Sequence, residues 1–566
     1  MVDGESEIDD NRFFFSKNGK TDAKSELHAT LLALYNETRF DDNSSACKFP
    51  ARTAWLTEKL ALKDLPKVTC SEYEETLQKL DPKSATLVFP SAHINSPASM
   101  FGHTFLRINS SYESRLLSYA INYAADANPD DTNAVIFAIK GLFGGYYGKY
   151  SLLPYYEKLK EYRDTEQRDI WEYDLDLNEE EVLKMVRHIW ELNGTHSDYY
   201  FFTENCSYNM LWLIELARPS IHLREQFHYD VIPLETVHAA KTENIIAKDH
   251  YRPSKRTILL KYEDLIQKKY LHIPKELVSS KITLQDLMSD TTINIQQKRY
   301  ILEASIEYLE YSFSKNTMDK KEYLELFHNI SKERASLGKG EKLHINTPAN
   351  PIDSHRAVRL TLGGGIREGL GSAFLGIRPA YHDIEDSSYG FLRGTQIEFL
   401  DFLASYTDTS LEIENLTVIS IVSLAQRTEF FDSLSWRTKF GWDKNYIDNE
   451  TNFIGSIGAG YSWGNELAYI YFMADPLFYH SKDGFVSALG TSVGIVIDKY
   501  HFMNTNIEAS KRFYDDGSKQ SLIHASQNFR TSQNTQISLK YDFKGRNYLG
   551  FNSEEETYQV VIHYYF

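Results

Sequence analysis

The sequence predicts an α+β domain with helical segments before and after it, followed by an all-β transmembrane barrel of about twelve antiparallel strands. Three observations support this fold class. Residues 1–80 and 231–350 carry apolar residues at the three- and four-residue spacing of amphipathic helices. Residues 81–230 mix strand-like and helical segments. From residue 351 to 566, alternating strand-like runs recur between turn clusters of Asp, Ser, Asn and Gly.

The most regular segments define the individual elements. Apolar spacing predicts helices at 23–35, 53–62, 179–192, 206–217, 296–313 and 320–337. Two short apolar runs predict strands at 85–89 and 104–108. The helix at 320–337 is followed by Gly338, Pro348 and Pro351, which mark a linker before the barrel.

The last strand-like run carries the barrel pattern most clearly. One face holds Tyr558, Val560, Ile562, Tyr564 and Phe566, and the other holds Thr557, Gln559, Val561, His563 and Tyr565. An apolar face and a mainly polar face are what a lipid-facing strand with a wet lumen requires. The aromatic carboxyl-terminal residue, Phe566, resembles the residue that ends the last strand of bacterial outer-membrane barrels. A soluble antiparallel sandwich would also alternate and is the alternative.

Composition excludes several classes of protein. With 42% hydrophobic residues the chain can bury cores and is not wholly disordered. No apolar run approaches the ~20 residues of a transmembrane helix. The formal net charge of −18 makes the chain a poor polyanion binder, so we expect no nucleic-acid partner. Cys and His are not clustered at metal-ligand spacing, so the sequence predicts no metal site and no cofactor.

The compartment is predicted from the barrel and from the first residues together. The chain begins with an acidic stretch that has no apolar signal core. That start indicates either a cytoplasmic protein or a mature form whose export leader has been removed. Aromatic residues make up 14% of the chain, and aromatic girdles at two membrane interfaces would account for them. We therefore predict an outer-membrane protein whose amino-terminal part lies in the periplasm.

The three cysteines have different expected roles. Cys47 and Cys70 both lie in the helical amino-terminal region, and Cys206 stands apart from them. Because the periplasm is oxidising, we predict a disulfide between Cys47 and Cys70. Three reduced, buried thiols in a cytoplasmic protein are the alternative.

Cys206 is the most informative single residue. Asn205 is a good N-cap, which places Cys206 at the first position of the predicted helix. A thiol there lies at the positive end of the helix dipole, which favours the thiolate and is a common way to build a nucleophile. A small residue that merely packs at a helix start would have the same local sequence.

A thiolate enzyme also needs a base, for which His103 is the candidate. His103 heads a predicted strand and follows the turn-rich loop 95–101. His93, His188 and His196 are rivals, although His188 lies within an amphipathic helix and is expected to be structural. Spacing alone does not separate His93 from His103.

Three stretches between residues 91 and 219 resemble the periplasmic amino-terminal domain of the Lnb family, the lipoprotein N-acyltransferases of Bacteroides. They are SMFGHTFLR at 99–107, IKGLFGG at 139–145 and YFFTENC at 200–206. That domain is similar to the circularly permuted papain-like group, which includes lecithin retinol acyltransferase. There a catalytic His on a strand precedes a Cys that opens a helix. The resemblance therefore implies a permuted papain-like fold in which Cys206 is the nucleophile and His103, rather than His93, is the base.

The resemblance also implies a third residue that orients the imidazole. It should lie on the strand after the histidine strand, which we place at 116–123. Ser118 and Asn122 share one face of that strand, and Asn122-Tyr123 resembles the Asn-Tyr pair of the family. We therefore predict Asn122 as the third catalytic residue, with Ser118 and the N-cap Asn205 as auxiliary residues.

A glycine-rich aromatic stretch at 141–150 is a further candidate. Its glycines predict a hinged loop whose aromatic side chains line an acyl groove or contact lipid. A packed aromatic loop is an equal alternative, and the stretch lacks the form of a phosphate-binding loop.

The expected activity is cysteine-dependent acyl transfer at the periplasmic face of the outer membrane. Cys206 would take an acyl chain from a lipid ester, and an amine or hydroxyl acceptor, such as a lipoprotein amino terminus, would receive it. Outer-membrane lipid and a lipoprotein are the expected partners. Bacteroides-type members end in membrane helices instead of a barrel, so two alternatives are kept. They are a papain-like peptidase, amidase or lipid hydrolase, and a non-enzymatic barrel channel or assembly factor.

Overall fold

The computed structural model describes residues 4–92, 102–112, 114–126, 140–141, 144–228, 230–407, 410–482, 484–548 and 550–566. The chain forms two compact units, of which one comprises Met1–Ser91 and Gly102–Ser254 and the other includes Lys255–Phe566. His93, the loop 95–101, Ile139, Leu142 and Phe143, all of which entered the sequence predictions, lie outside the described residues.

An antiparallel sheet forms the centre of the first unit. Its described strands have the order β6-β4-β3-β2-β1-β5-β7. Their bounds are β1 (Ser84–Pro90), β2 (Phe105–Asn109), β3 (Tyr119–Ala125), β4 (Tyr146–Pro154), β5 (Ile170–Leu175), β6 (Ser197–Tyr199) and β7 (Ile246–Arg252). The middle strands are covered on both faces, which explains why β1 and β2 are apolar runs with little alternation.

Four described helices of the first unit begin after a residue whose side chain accepts from their free N–H groups. Asp22 caps the first long helix, and Asn178 forms a capping box with Glu181. The helices are α1 (Ala23–Tyr35), α2 (Ser45–Lys48), α3 (Pro50–Leu60), α4 (Ser71–Leu80), α5 (Tyr155–Leu159), α6 (Glu179–Leu192), α7 (Cys206–Ala217) and α8 (Pro233–Thr242). The four with such a cap are α1, α2, α6 and α7. The predicted bounds of α1, α6 and α7 agree with these, because each has a clear cap and a regular apolar face.

The amino-terminal helices are fastened to the rest of the first unit. Cys47 and Cys70 form a disulfide, so that prediction is confirmed. The indole Nε1 of Trp190 in α6 donates to the Cys47 carbonyl at 2.9 Å. The Arg52 amide donates to the Glu191 carboxylate at 2.7 Å. These contacts join the predicted region 1–80 to the α+β domain instead of leaving it separate.

The first unit continues to Ser254, whereas the sequence predicted that the α+β domain ends at residue 230. Strand β7 pairs along β5, with Ile170 opposite Arg252 and Trp171 opposite Tyr251. Its sequence, IAKDHYR, is mostly polar because it is an edge strand with one open side. The helical connecting region predicted at 231–350 therefore begins at Lys255.

A helical segment opens the second unit. Its helices are α9 (Lys255–Leu265), α10 (Ile273–Val278), α11 (Leu284–Ser289), α12 (Ile295–Ser314) and α13 (Lys320–Ser336). Their shared core includes Leu259, Ile301 and Leu302, together with Phe430 and Phe431 from a loop between two barrel strands. In the part of the chain that is described, no helix has the length and apolar character needed to cross a membrane.

Residues 359–565 form a closed antiparallel barrel. Its twelve long strands are β8 (Arg359–Arg367), β9 (Leu370–Arg378), β11 (Thr395–Thr407), β12 (Leu411–Ser423), β13 (Ser435–Asp443), β14 (Asn452–Gly464), β15 (Ala468–Ser481), β16 (Gly484–Ile497), β17 (Met503–Tyr514), β18 (Lys519–Ser532), β19 (Thr535–Tyr548) and β20 (Phe551–Tyr565). A short strand, β10 (Ala380–His382), also pairs with β11. The β20–β8 and β9–β11 pairings close the ring. The predicted twelve-stranded barrel is thereby confirmed.

The two faces of the barrel strands have opposite character. On the last strand Tyr564 is 50% exposed and Phe566, just beyond it, is 51%, whereas His563 and Tyr565 are 2% exposed. The inward face carries charges that pair across the lumen. Arg437 of β13, for example, lies 2.6 Å from Asp475 and 2.7 Å from Glu508. An apolar outside and a charged inside are the membrane-barrel pattern that the sequence predicted.

Candidate active site

Cys206 lies at the first position of α7, and Asn205 prepares that position. The Asn205 Oδ1 accepts from the amides of Ser207 at 3.0 Å and Tyr208 at 3.2 Å. Its Nδ2 donates to the carbonyls of Val231 at 2.6 Å and Phe201 at 2.9 Å. One side chain thus caps the helix and ties two loops to it, which holds the 6%-exposed thiol of Cys206 at the positive helix end.

His103, two residues before β2, lies beside Asn122 of the neighbouring strand β3. The imidazole Nε2 of His103 lies 2.9 Å from Asn122 Oδ1. Because an amide oxygen can only accept, Nε2 carries the proton of this hydrogen bond and Nδ1 is left for the thiol. The register of β2 with β3, in which Leu106 faces Ile121, brings the two residues together.

His103 acts on the buried thiol of Cys206 chiefly through its charge. Burial alone would raise the pKa of Cys206, but the charge and hydrogen bond of His103 lower it to about 7. Burial would lower the pKa of His103, but the Cys206 charge and the hydrogen bonds of Cys206 and Asn122 raise it. The two shifts together favour a thiolate–imidazolium pair near neutral pH.

Three side chains that the sequence analysis did not single out surround this pair. The Tyr162 ring stacks on His103 with centroids 5.6 Å apart. The guanidinium of Arg168, which is 2% exposed, lies 5.3 Å from the Tyr162 ring and interacts with the charge of Cys206. Burial and the charge of Cys206 raise the pKa of the Tyr199 hydroxyl. Tyr162 and Arg168 come from the connection between α5 and β5, which contains no recognisable motif.

Ser118 lies apart from the pair. It follows a short 3₁₀ turn, Arg115–Leu117, and its carbonyl accepts from the Tyr155 amide at 2.8 Å. Among the described residues, no hydrogen bond joins its side chain to His103. The strand predicted at 116–123 begins only at Tyr119. The geometry therefore brings Asn122, and not Ser118, to the imidazole.

The rival histidines have other partners. The Nδ1 of His188 lies 3.4 Å from Glu191, and its ring packs against Trp212 with centroids 4.9 Å apart. The Nδ1 of His196 lies 3.0 Å from Asp10. Both arrangements are contacts within the first unit, and Cys206 is not among these partners.

The prediction of an aromatic loop at 141–150 is wrong for the second half of that stretch. Tyr146–Pro154 is strand β4, in which Tyr146 pairs with Tyr199 and Tyr150 with Tyr123. Gly148 is required there because a Cβ at this position would lie 1.9 Å from the Tyr123 hydroxyl. The glycine that suggested a hinge instead makes room for a ring across the sheet.

Comparison with known families agrees with the resemblance found in the sequence. Residues 72–243 match the family model described as the Lnb N-terminal periplasmic domain. Three domains of unknown function also match: DUF7843 at residues 2–59, DUF7842 at 249–344 and DUF7840 at 348–565. No curated protein matches the chain.

Solved structures similar to the chain include several porins. The KdgM porin has a TM-score of 0.24 at 9% identity, covering 37% of this chain and 99% of its own. The NanC porin has a TM-score of 0.26 at 9% identity, covering 37% of this chain and 100% of its own. An anion-selective porin from Comamonas acidovorans has a TM-score of 0.20 at 8% identity, covering 37% of this chain and 98% of its own.

The compartment follows from the barrel and from the matched domain. A closed barrel with an apolar outside and a charged lumen is built for a lipid bilayer, and the matched domain is periplasmic. The protein is therefore an outer-membrane protein whose amino-terminal domain lies in the periplasm, as predicted. The chain joins an Lnb-type N-terminal periplasmic domain, at residues 72–243, to a twelve-stranded outer-membrane β-barrel.

Proposed function

We propose that this protein is a cysteine-dependent acyltransferase acting at the periplasmic face of the outer membrane. The observation that carries the proposal is the alignment of Asn122, His103 and Cys206. The amide orients the imidazole at 2.9 Å, and the imidazole lowers the pKa of the thiol to about 7. A nucleophile, a base that acts on it and a group that orients the base are the parts of a covalent acyl-transfer site.

The reaction divides into two steps. In the first, the Cys206 thiolate attacks the carbonyl carbon of a lipid ester, and the ester C–O bond breaks as His103 protonates the leaving alcohol. In the second, His103 takes a proton from an amine acceptor, whose nitrogen attacks the thioester carbonyl and releases the Cys206 thiolate. The products are the lysolipid alcohol and an amide.

The charge that develops on the carbonyl oxygen needs donors in both steps. The N–H of Cys206 is at the helix start, and the hydroxyl of Tyr199 lies next to it. Together they would hold the oxyanion, since a substrate oxygen entering there can accept from both groups. The buried guanidinium of Arg168 adds positive charge to the thiolate environment.

Transfer to an acceptor is favoured over hydrolysis by the membrane anchor. A barrel keeps the catalytic domain on a chain that is fixed in the lipid bilayer, where both an acyl donor and a lipidated acceptor are found. Exposing an acyl chain to water costs about 0.8 kcal/mol per methylene, so a donor at the membrane needs no aqueous transfer. A peptidase acting on a soluble peptide gains nothing from a barrel of this size.

The activity is tested with the full chain in proteoliposomes that contain phospholipid and a diacylated lipopeptide with a free amine. We expect acylation of the amine to exceed release of free fatty acid, and intact mass to show an acyl group on Cys206. Cys206→Ala should abolish both products. A control that keeps the site intact is His188→Ala. Cleavage of peptide bonds without an acyl group on Cys206 would reject acyl transfer in favour of a peptidase.

The pH dependence of kcat/KM provides a second expected result. Below pH 7 the Cys206 thiol is protonated and cannot attack, so the rate should rise as the pH passes through about 7. The rate should fall again when His103 loses its proton, above its ordinary pKa because Asn122 and Cys206 raise it. Asn122→Ala removes one of those contributions and should move the alkaline limb to lower pH. An unchanged alkaline limb in this variant would contradict the role of Asn122.

A further inference from the structure

Three buried side chains of the second unit bring their ligand atoms to one point. His355 precedes β8, His382 ends β10, and Asp386 lies in the loop after β10. His355 Nε2 lies 3.2 Å from His382 Nδ1 and 3.7 Å from Asp386 Oδ2, and the latter two atoms are 3.9 Å apart. None of the three residues is more than 4% exposed. The sequence analysis expected no metal site because it looked for clustered Cys and His, whereas here His355 lies 27 residues before His382 and the third ligand is an Asp.

The separations lie within about 0.3 Å of those around a tetrahedral metal ion. Zn²⁺ takes nitrogen and oxygen ligands at about 2.0–2.2 Å, which at tetrahedral angles places ligand atoms about 3.3–3.6 Å apart. All three measured distances lie near this range. The Nδ1 of His355 donates to the Arg356 carbonyl at 2.7 Å, so the lone pair of Nε2 faces the other two ligands. That outer hydrogen bond is typical of histidines that bind metals.

The ionisable groups around the three side chains also favour binding of a cation. Two buried guanidiniums lie beside Asp386, and among the described residues their ion pairs involve four carboxylates. The groups are Arg359 and Arg378 against Asp383, Asp386, Glu398 and Asp401. If all four carboxyl groups are ionised, they outnumber the two guanidiniums by two. Uncompensated charge is costly to bury, and one divalent cation would balance this excess.

We propose that His355, His382 and Asp386 form a binding site for a divalent transition metal, for which Zn²⁺ is the fitting ion. Three protein ligands leave a fourth position for water. The site lies where the barrel closes. Tyr565 of the last strand donates to Asp386 at 2.6 Å, and its ring lies 4.1 Å from that of His355. A metal ion there would link the last strand, the entry to the first strand and the loop after β10.

The test measures metal content and barrel stability on the full chain, purified in detergent with an affinity tag that contains no histidine. The folded barrel is counted by its faster migration on an unheated gel. After dialysis against Zn²⁺ and then buffer, we expect about one Zn²⁺ per folded chain. Removing the metal with a chelator should lower the temperature at which the folded band is lost, and added Zn²⁺ should restore it.

Variants distinguish the site from adventitious binding. His355→Gln and His382→Gln should each lower the Zn²⁺ content at least about tenfold, and their unfolding temperatures should no longer respond to chelator. His563→Gln is the matched control, because His563 is an equally buried barrel histidine whose partner is Thr361. It should keep both properties.

A measurement on the native chain tests the proposal without depending on whether the variants fold. Folded native protein that holds less than about a tenth of an equivalent of Zn²⁺, with the same unfolding temperature in chelator and in Zn²⁺, would overturn the proposal. Equal Zn²⁺ content in the native chain and in both histidine variants would do the same. In either case the three side chains form only a hydrogen-bonded network.

Discussion

Replacing His103 by alanine is expected to reduce kcat/KM for acyl transfer about 10³-fold. Two losses combine in this variant. The thiol loses the group that lowers its pKa, so burial returns the thiol to its protonated form at neutral pH. The leaving alcohol and the attacking amine also lose their proton carrier. The measurement is the rate of lipopeptide acylation at fixed phospholipid content.

His188→Ala is the matched control for this prediction, because His188 is half-buried and contacts Glu191 and Trp212 instead of Cys206. We expect its rate to remain within about twofold of the native rate, since it lies outside the reacting groups. A His103→Ala variant that keeps more than a tenth of the native rate would show that another group activates the thiol.

Glu172→Gln is expected to destabilise the first unit by about 3–5 kcal/mol. Glu172 is fully buried, forms an ion pair with Arg107 at 2.8 Å, and accepts from Arg115 at 2.9 Å and from the Tyr155 hydroxyl at 2.6 Å. Arg252 also pairs with it. The neutral amide would leave the buried guanidinium of Arg107 largely uncompensated. Urea unfolding of the full chain in detergent, followed by tryptophan fluorescence, measures the change.

The same carboxylate gives this stability a pH dependence. Burial alone would raise the pKa of Glu172, but Arg107 and Arg252 lower it to about 2 from its ordinary 4.5. Its contribution is therefore complete above about pH 4.5 and is lost as the pH falls toward 2. Asp174→Asn is the control, because Asp174 is 28% exposed and should cost about 1 kcal/mol or less. Equal losses in the two variants would contradict the prediction.

The parts of the site that sequence reasoning located are those determined by local chemistry. Asn205 and Cys206 were found because an N-cap and a helix start are adjacent in sequence. Asn122 followed from the alternation of side chains along one strand and from the family resemblance. Arg168 and Tyr162 were missed because they reach His103 from the connection between α5 and β5, where a π-helical turn at Lys160–Thr165 has no periodic signal.

The fold shows the same division between local and long-range information. Alternation within each segment was enough to predict about twelve strands and the outward face of the last one, because each strand has one side in lipid. It could not show which charges meet across the lumen, since Arg437 pairs with residues 38 and 71 positions away. The edge strand β7 was missed because its open side makes it polar. The glycines of 141–150 suggested a hinge, but Gly148 lies in a strand and leaves space for the Tyr123 ring.

Phe430 and Phe431, in the loop between β12 and β13, have a consequence for biogenesis. Both are buried in the core of the helices α9–α13, which precede the barrel in the chain. A buried Phe contributes about 1.5–3 kcal/mol, so this core stays incomplete until the two strands that carry the loop have paired. A chain whose barrel fails to assemble would present the apolar faces of these helices to solvent. Completion of the helical core is therefore coupled to the pairing of β12 with β13.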